Sequence, residues 1–386
     1  MYYETEYLYS NSDIGKQMAS YTRLNFSGGP GALPEQVLRD AQEAIACAPG
    51  TRQSILGISH RSDWFKAVLR ESEDHFRALL GIPDDYHVLQ LQGGSTLQFS
   101  MIPILLLRGT AKSADYLRTG YWSAKSIPDA EREGPVKVLY DGESRSYRVL
   151  PSDDELSYDP DAAYFHYVSN ETVEGLQFHR RLGLPGVPRV CDMSSDFLSR
   201  PFDVTDYALV YAHAQKNLGP SGLTLVVIKD ALLRDAPPNV HSMLDYRNHV
   251  AMESIYNTPP VFAMYVTCLV ARWLRNTIGG LEKMAAINER KAGALYALID
   301  AHPDFFRAHV VEPRDRSLMN VSFRLPTPAL ESRFLEESAA AGFYGLEGHR
   351  SLGGLRASLY NAVTEEDVAR LVEFMDDFRK RWTATP

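Results

Sequence analysis

Lys216 stands in "YAHAQKNLGPSGLTLVVI", between two apolar runs and beside a turn rich in glycine and proline. A cation there is either a surface lysine or a lysine held at the lip of a sheet to form a bond. Three other apolar runs also end in polar residues: Ser95 and Thr96 after "LQLQGG", Thr172 after "YFHYVSNE", and Asp192 after "PRVC". In a wound α/β sheet ligands bind outside the carboxyl ends of the strands, so such residues converge on one crevice. The Gly-Gly-Ser-Thr turn opening a helix suits a single phosphate, because free N–H groups and the helix dipole point outward there. It lacks the Gly-Lys-Ser/Thr ending of a nucleotide triphosphatase loop. An acid at one strand end and a lysine further along the chain fit pyridoxal phosphate. The lysine bonds the aldehyde, and the carboxylate keeps the pyridine nitrogen protonated so that the ring accepts electrons. Trp122 in "TGYWSAKS" offers an aromatic face for that ring. Taken singly, Trp122 also reads as core, Asp192 as a helix cap and Thr172 as a turn residue. Only the constellation singles them out.

These residues need a scaffold, and the chain's periodicities supply one. "PEQVLRDAQEAIACA" (34–48) and "DWFKAVLRESEDHFRALLG" (63–81) carry apolar residues at helical spacing, the second with Asp63 in its first turn and Gly81 as its stop. "HVLQLQGG" (87–94) reads as a strand and "STLQFSMIPILLL" as a helix. "AAYFHYVSNET", "VPRVCDMSS", "YALVYAHAQK" and "LTLVVIK" are short, nearly continuous apolar runs bounded by turn residues. Continuous apolar strands are buried on both faces, as in a mostly parallel sheet covered by helices. From residue 276 the chain reads as a long helix, the strands "LMNVSFRL" and "GLRASLYNA", and a closing helix with Thr364 and Asp367 as a capping pair. The expected architecture is α/β. A tyrosine-rich extension (1–24) precedes a large mostly parallel-sheet domain (25–275, its first segment partly joining the small domain). A smaller α+β domain (276–386) closes the chain.

Bulk composition narrows the function. A net charge of −9 disfavours nucleic-acid binding, which needs a basic face to neutralise phosphates. Cys47, Cys191 and Cys268 show no CxxC spacing and no disulfide framework, so a reducing cytoplasm is the expected location. The start, "MYYETEYLYSNSDIGKQ", lacks the pattern of a signal peptide, and no apolar run reaches the roughly 18–20 residues that span a bilayer. The eleven histidines show no HxH or HExxH spacing, which disfavours a metal enzyme.

Longer motifs carry a family resemblance. "NFSGGPGALPEQVL", "SHRS", "GGSTLQFSMIP", "ADYLRTGYWS", "HYVSNETVEG", "CDMSSDFLSRPFDV", "AQKNLGPSGLT", "YNTPPVFAMY" and "GLEGHRSLGGLRASLYNA" together resemble the phosphoserine aminotransferases, class V members of the fold-type I pyridoxal-phosphate enzymes. The resemblance runs from residue 25 nearly to the end. It implies that Lys216 anchors the cofactor, Asp192 pairs with the pyridine nitrogen, Trp122 stacks on the ring and Thr172 binds its phenolic oxygen. Ser95, Thr96 and Gln215 would hold the cofactor phosphate, with Asn257 and Thr258 reaching it from a neighbouring subunit. A homodimer with shared active sites is therefore expected.

The substrate follows from the same resemblance. Arg356 would fix an α-carboxylate, for which a bidentate guanidinium is suited. The pairs His60-Arg61 and His349-Arg350 would gather around a distal phosphate or a side-chain carboxylate. The implied reaction passes an amino group from L-glutamate to 3-phosphohydroxypyruvate, giving O-phospho-L-serine and 2-oxoglutarate for serine biosynthesis. The vitamin B6 substrate 4-phosphohydroxy-L-threonine is a further candidate. The alternative is a class V aminotransferase for another acidic or phosphorylated keto acid, and a cofactor-binding protein without turnover is the non-enzymatic reading. Cysteine desulfuration would need a mobile nucleophilic cysteine, and none of the three looks suited. The sequence departs from the family pattern at Ser95-Thr96, where some members have Gly-Arg, and at His213, where a small residue is expected.

Overall fold

The apolar runs do form strands, and five of them join two strands not singled out above, Ala114–Arg118 and Val136–Asp141, in one seven-stranded sheet. The computed structural model describes residues 24–383. The strands are β1 (Tyr86–Gln92), β2 (Ala114–Arg118), β3 (Val136–Asp141), β4 (Phe165–Val168), β5 (Asn170–Glu171), β6 (Leu176–Gln177), β7 (Arg189–Asp192), β8 (Leu209–His213) and β9 (Leu223–Lys229). The main sheet has the order β1-β9-β8-β7-β4-β2-β3, while β5 and β6 form a separate ribbon. From β8 to β3 every neighbouring pair is parallel. The exception is β9, antiparallel to both β1 and β8. Residues 214–222, which join β8 to β9, are too few for the helical crossover that a parallel return requires.

Alternation along these strands feeds two cores, as burial on both faces demands. Leu225 and Val227 of β9 face one way, with Val210 and Cys191, toward helices α1 (Glu35–Ala46), α2 (Asp63–Leu80) and, further along the chain, Val261–Arg272. Val226 and Ile228 face the other way, with Leu209, Tyr211 and Val190, toward α3 (Ser95–Leu106) and α4 (Tyr121–Glu131). Local chemistry fixes the helix ends. Ser62 Oγ accepts from Phe65 N at 3.2 Å to start α2, and Gly81 closes it at φ 61° in the left-handed region that suits glycine.

The C-terminal strands β10 (Arg307–Ala308), β11 (Asn320–Arg324) and β12 (Leu355–Ser358) make an antiparallel three-stranded sheet. Its core is filled from the helices Leu281–Ala301, Pro328–Ala340 and Glu365–Thr383. The expected cap of the last helix is reciprocal: Asp367 N donates to Thr364 Oγ1 at 3.1 Å and Thr364 N to Asp367 Oδ2 at 3.0 Å. Leu24 and Phe26 join this C-terminal core. Leu24, placed in the extension by its sequence, is thus part of the folded body, and residues 1–23 lie outside the described residues. No helix among the described residues is long and apolar enough to cross a membrane.

Phe334 is fully buried in the C-terminal core, edge-on to Phe323, Phe374 and Phe378 at centroid distances of 6.3, 5.3 and 5.2 Å. Phe334→Ala is expected to lower the unfolding free energy by about 3–5 kcal/mol through lost burial and the cavity left behind, read as a lower urea midpoint.

Candidate active site

Lys216 is not at an open sheet lip but on a buried helical turn, Ala214–Asn217, that follows β8. Its Nζ donates to Thr172 Oγ1 at 2.6 Å and lies 5.0 Å from the centre of the Trp122 ring. Thr172 sits in the turn between β5 and β6, and Trp122 in the first turn of α4. Asp192 ends β7 and is buried, its Oδ1 accepting from Ser194 N at 2.8 Å. Burial dominates both ionisable groups. It raises the Asp192 carboxyl and lowers the Lys216 amine to about 8, and the opposite charge of each partly offsets the shift of the other. Arg356 of β12 closes the same space, with Nη1 donating to Thr172 O at 3.3 Å. Gly28 leaves room for that guanidinium, since a Cβ there would lie 2.3 Å from Arg356 Nη2.

A second cluster starts at α3. Ser95 is buried and its Oγ lies 2.7 Å from Ser194 Oγ, which also accepts from His213 N at 3.1 Å. Ser194, not singled out above, therefore ties the α3 turn to Asp192 and β8. Gln215 is half-buried beside Lys216, and its carbonyl accepts from Gly31 N at 2.7 Å. Thr96 is exposed and makes no described contact with Lys216 or Asp192. Asn257 and Thr258 are also exposed. Asn257 Nδ2 donates to Gln92 Oε1 at 2.8 Å and Gln92 Nε2 donates to Thr258 O, so this loop is pinned at the end of β1 beside the Gly93-Gly94 turn.

The two His-Arg pairs are placed differently. His349 packs against Tyr121 at 4.7 Å, next to Trp122, while Arg350 is exposed. His60 and Arg61 lie in the turn before α2, where Arg61 N donates to Ser59 Oγ at 3.2 Å. Among the described residues neither bonds to Lys216, Asp192 or Arg356. Of the cysteines, Cys191 and Cys268 are buried, with the first thiol pushed far up by burial and the second to about 12. Cys47 is exposed at the end of α1.

Lys216, Thr172, Trp122 and Arg356 thus meet in one place, with Asp192 near enough to act on the lysine through its charge, and known proteins resemble this chain over most of its length. The family described as aminotransferase class-V matches residues 23–371. The chain belongs to the class V aminotransferases. It is 48% identical to the phosphoserine aminotransferase of Rhodopirellula baltica over 93% of this chain and 95% of that one. A solved phosphoserine aminotransferase from Bacillus circulans subsp. alkalophilus superposes with a TM-score of 0.89 at 43% identity, covering 92% and 98% of the two chains. The pyridoxal-phosphate-bound enzyme of Trichomonas vaginalis gives 0.86 at 34% identity over 92% and 99%.

Sequence reasoning about this class V aminotransferase missed Glu171 and Glu174. Both are buried and flank the Thr172 turn. Glu171 accepts from Trp122 N and Ser123 N at 3.1 Å each, and Glu174 Oε1 from Tyr121 N at 3.0 Å, so the pair caps the helix that carries Trp122. The only available signal was two acids around "NETVEG" and a glycine before "YWS". A Cβ on Gly120 would lie 2.5 Å from Glu174 Oε2 and 2.7 Å from Glu171 Cδ. Burial and mutual repulsion push the pair upward, so a proton is retained well above the usual carboxylate range. Both carboxyls ionise in the unfolded chain across that range, so stability is lost as pH rises from the ordinary carboxylate range through neutrality. Glu174→Gln is expected to flatten that loss, so that its melting temperature gains on the parent protein between pH 6 and 8. Parallel melting curves across that pH range would exclude the retained proton.

Proposed function

We propose that the protein is a pyridoxal-phosphate-dependent phosphoserine aminotransferase, exchanging an amino group between L-glutamate and 3-phosphohydroxypyruvate. The observation that carries the reading is the buried Lys216 Nζ, set between Thr172 Oγ1, the Trp122 ring and the opposing charge of Asp192, in a chain nearly half identical to phosphoserine aminotransferases. The site fits the cofactor on its own chemistry. It offers one nucleophilic amine, a desolvated carboxylate for a cationic nitrogen, and the N-terminus of a long helix for a phosphate. When bound, pyridoxal phosphate supplies an aldehyde that takes up the amino group and a ring that draws electron density from the substrate Cα.

The remaining work falls to the side chains. Lys216 would hold the cofactor, and its Nζ would be the base that removes and returns the substrate Cα proton. An amine lowered to about 8 is partly neutral at physiological pH and is competent for that transfer. Asp192 keeps a proton on the ring nitrogen, and Thr172 Oγ1 donates to the phenolic oxygen. Trp122 covers one ring face. Ser95, Thr96 and Gln215 hold the phosphate, with Asn257 and Thr258 supplied by a second copy. Both are exposed and so are accessible to a second copy. Arg356 binds the α-carboxylate of either substrate. His349-Arg350 and His60-Arg61 bind the distal phosphate or the glutamate side chain. The domain division near residue 276 and 4-phosphohydroxy-L-threonine as a further substrate belong to the same reading.

Adding O-phospho-L-serine to the cofactor-loaded enzyme should bleach its yellow band, while L-serine leaves it unchanged. Bleaching by glutamate alone would keep an aminotransferase and discard the phosphorylated substrate. Lys216→Ala should lower turnover by about a thousandfold or more, the scale of a lost general base. The loading rate of the apoenzyme should rise with pH and half-saturate near 8, because only the neutral amine attacks the aldehyde. A profile still climbing above pH 10 would instead mean an ordinary, solvated lysine.

A further inference from the structure

His213 departs from the family pattern, and its surroundings give it a task. Side chains two apart on a strand share a face. Tyr211 of β8 lies in the same core as Val190 of β7, and Tyr211 and Asp192 are register partners. His213 therefore emerges at the strand end on the Asp192 side of the sheet, facing α3. Its ring meets the turn that starts α3: a Cβ on Gly94 would lie 2.9 Å from His213 Cε1, 3.1 Å from Nδ1 and 3.3 Å from Nε2. The Ser194 hydroxyl links His213 N to Ser95 Oγ, fixing the ring's backbone against the first residue of that helix. Nε2 is buried and finds no hydrogen-bond partner among the described residues. Burial, and the positive charge of Lys216, lower the imidazole to about 4, so the ring is neutral at physiological pH and carries one N–H.

We propose that His213 is an additional ligand of the cofactor phosphate, its Nε2–H donating to a phosphate oxygen at the N-terminus of α3. The inference rests on the pyridoxal-phosphate reading above. A buried, unpartnered ring nitrogen is costly, and a phosphate oxygen in the adjoining cradle removes that cost. The phosphate's negative charge also counters the effect of Lys216 on the ring, strengthening the bond. A ring that merely filled space against Gly94 would have no preference for a phosphorylated cofactor.

The test compares pyridoxal 5′-phosphate with phosphate-free pyridoxal on the full-length apoenzyme, using the parent protein, His213→Ala and His213→Asn. Dissociation constants are read from the cofactor absorbance. His213→Ala should weaken pyridoxal 5′-phosphate by about tenfold or more, the scale of a hydrogen bond to a charged group, and leave pyridoxal unchanged. His213→Asn, which keeps an N–H donor, should recover part of the loss. The 31P resonance of bound cofactor should move in His213→Ala and return toward the parent position in His213→Asn. The proposal is overturned if His213→Ala binds pyridoxal 5′-phosphate within about twofold of the parent protein, or if both ligands weaken in proportion. Failure of the parent protein itself to bind pyridoxal 5′-phosphate would remove the cofactor reading, and this inference with it.

Discussion

The site depends on two opposite charges held away from water, Lys216 and Asp192. Neither is stable there alone, because burial penalises the charged form of each. Their mutual attraction offsets part of the cost but does not abolish it, and the residual penalty is chemically useful. A lysine with a raised pKa would be a permanently protonated cation, unable to attack a carbonyl or take a proton from carbon. A lysine lowered to about 8 changes protonation state at little cost. The fold must therefore bury the pair without quenching it in direct contact. It does so by placing the two on different elements, the end of β7 and the helical turn after β8, and by giving Lys216 a neutral partner in Thr172.

The sheet's polar underside extends this logic. His166 of β4 lies below Asp192 on the same face, its Nε2 2.9 Å from Tyr211 OH, with its ring stacked on Tyr116 at 4.7 Å. Burial keeps the imidazole neutral, holding it to about 3. The Tyr116 and Tyr164 hydroxyls bond each other at 2.8 Å. His166 Nδ1 has no hydrogen-bond partner among the described residues, but none of these groups adds a charge that would compete with Lys216 for Asp192. A cationic histidine at that depth would compete with Lys216 for the Asp192 carboxylate.

Much of this was legible in the sequence, and the failures have physical causes. Continuous apolar runs marked the strands, and polar residues at their ends marked the crevice, because burial on both faces leaves only strand termini free to carry chemistry. The helix containing Asp63 and Gly81 and the Thr364–Asp367 cap were readable because capping is local. The reversed direction of β9 was not, since strand polarity depends on how the connection packs. Lys216 was read onto a strand, but the chain coils once after His213. Glu171 and Glu174 were invisible because their partners, the backbone N–H groups of residues 121–123, come from a distant segment. No local pattern encodes that meeting.

The charge balance around Arg356 shows why that carboxylate pair matters beyond capping. Arg356 is half-buried, its Nη1 on the Thr172 carbonyl, and its Nε has no hydrogen-bond partner among the described residues. Glu174 is the nearby acid whose charge supports the guanidinium against desolvation. Were both glutamates fully ionised, their two negative charges would outweigh the single positive charge of Arg356. Were both protonated, the start of α4 would lose the negative charge that favours its N–H groups, and Trp122 its anchor. One retained proton avoids both extremes: the pair then carries a single negative charge, which balances Arg356 while still favouring the N–H groups that hold Trp122. The charge balance at Arg356 and the position of Trp122 beside Lys216 are thus coupled through a single titrating pair.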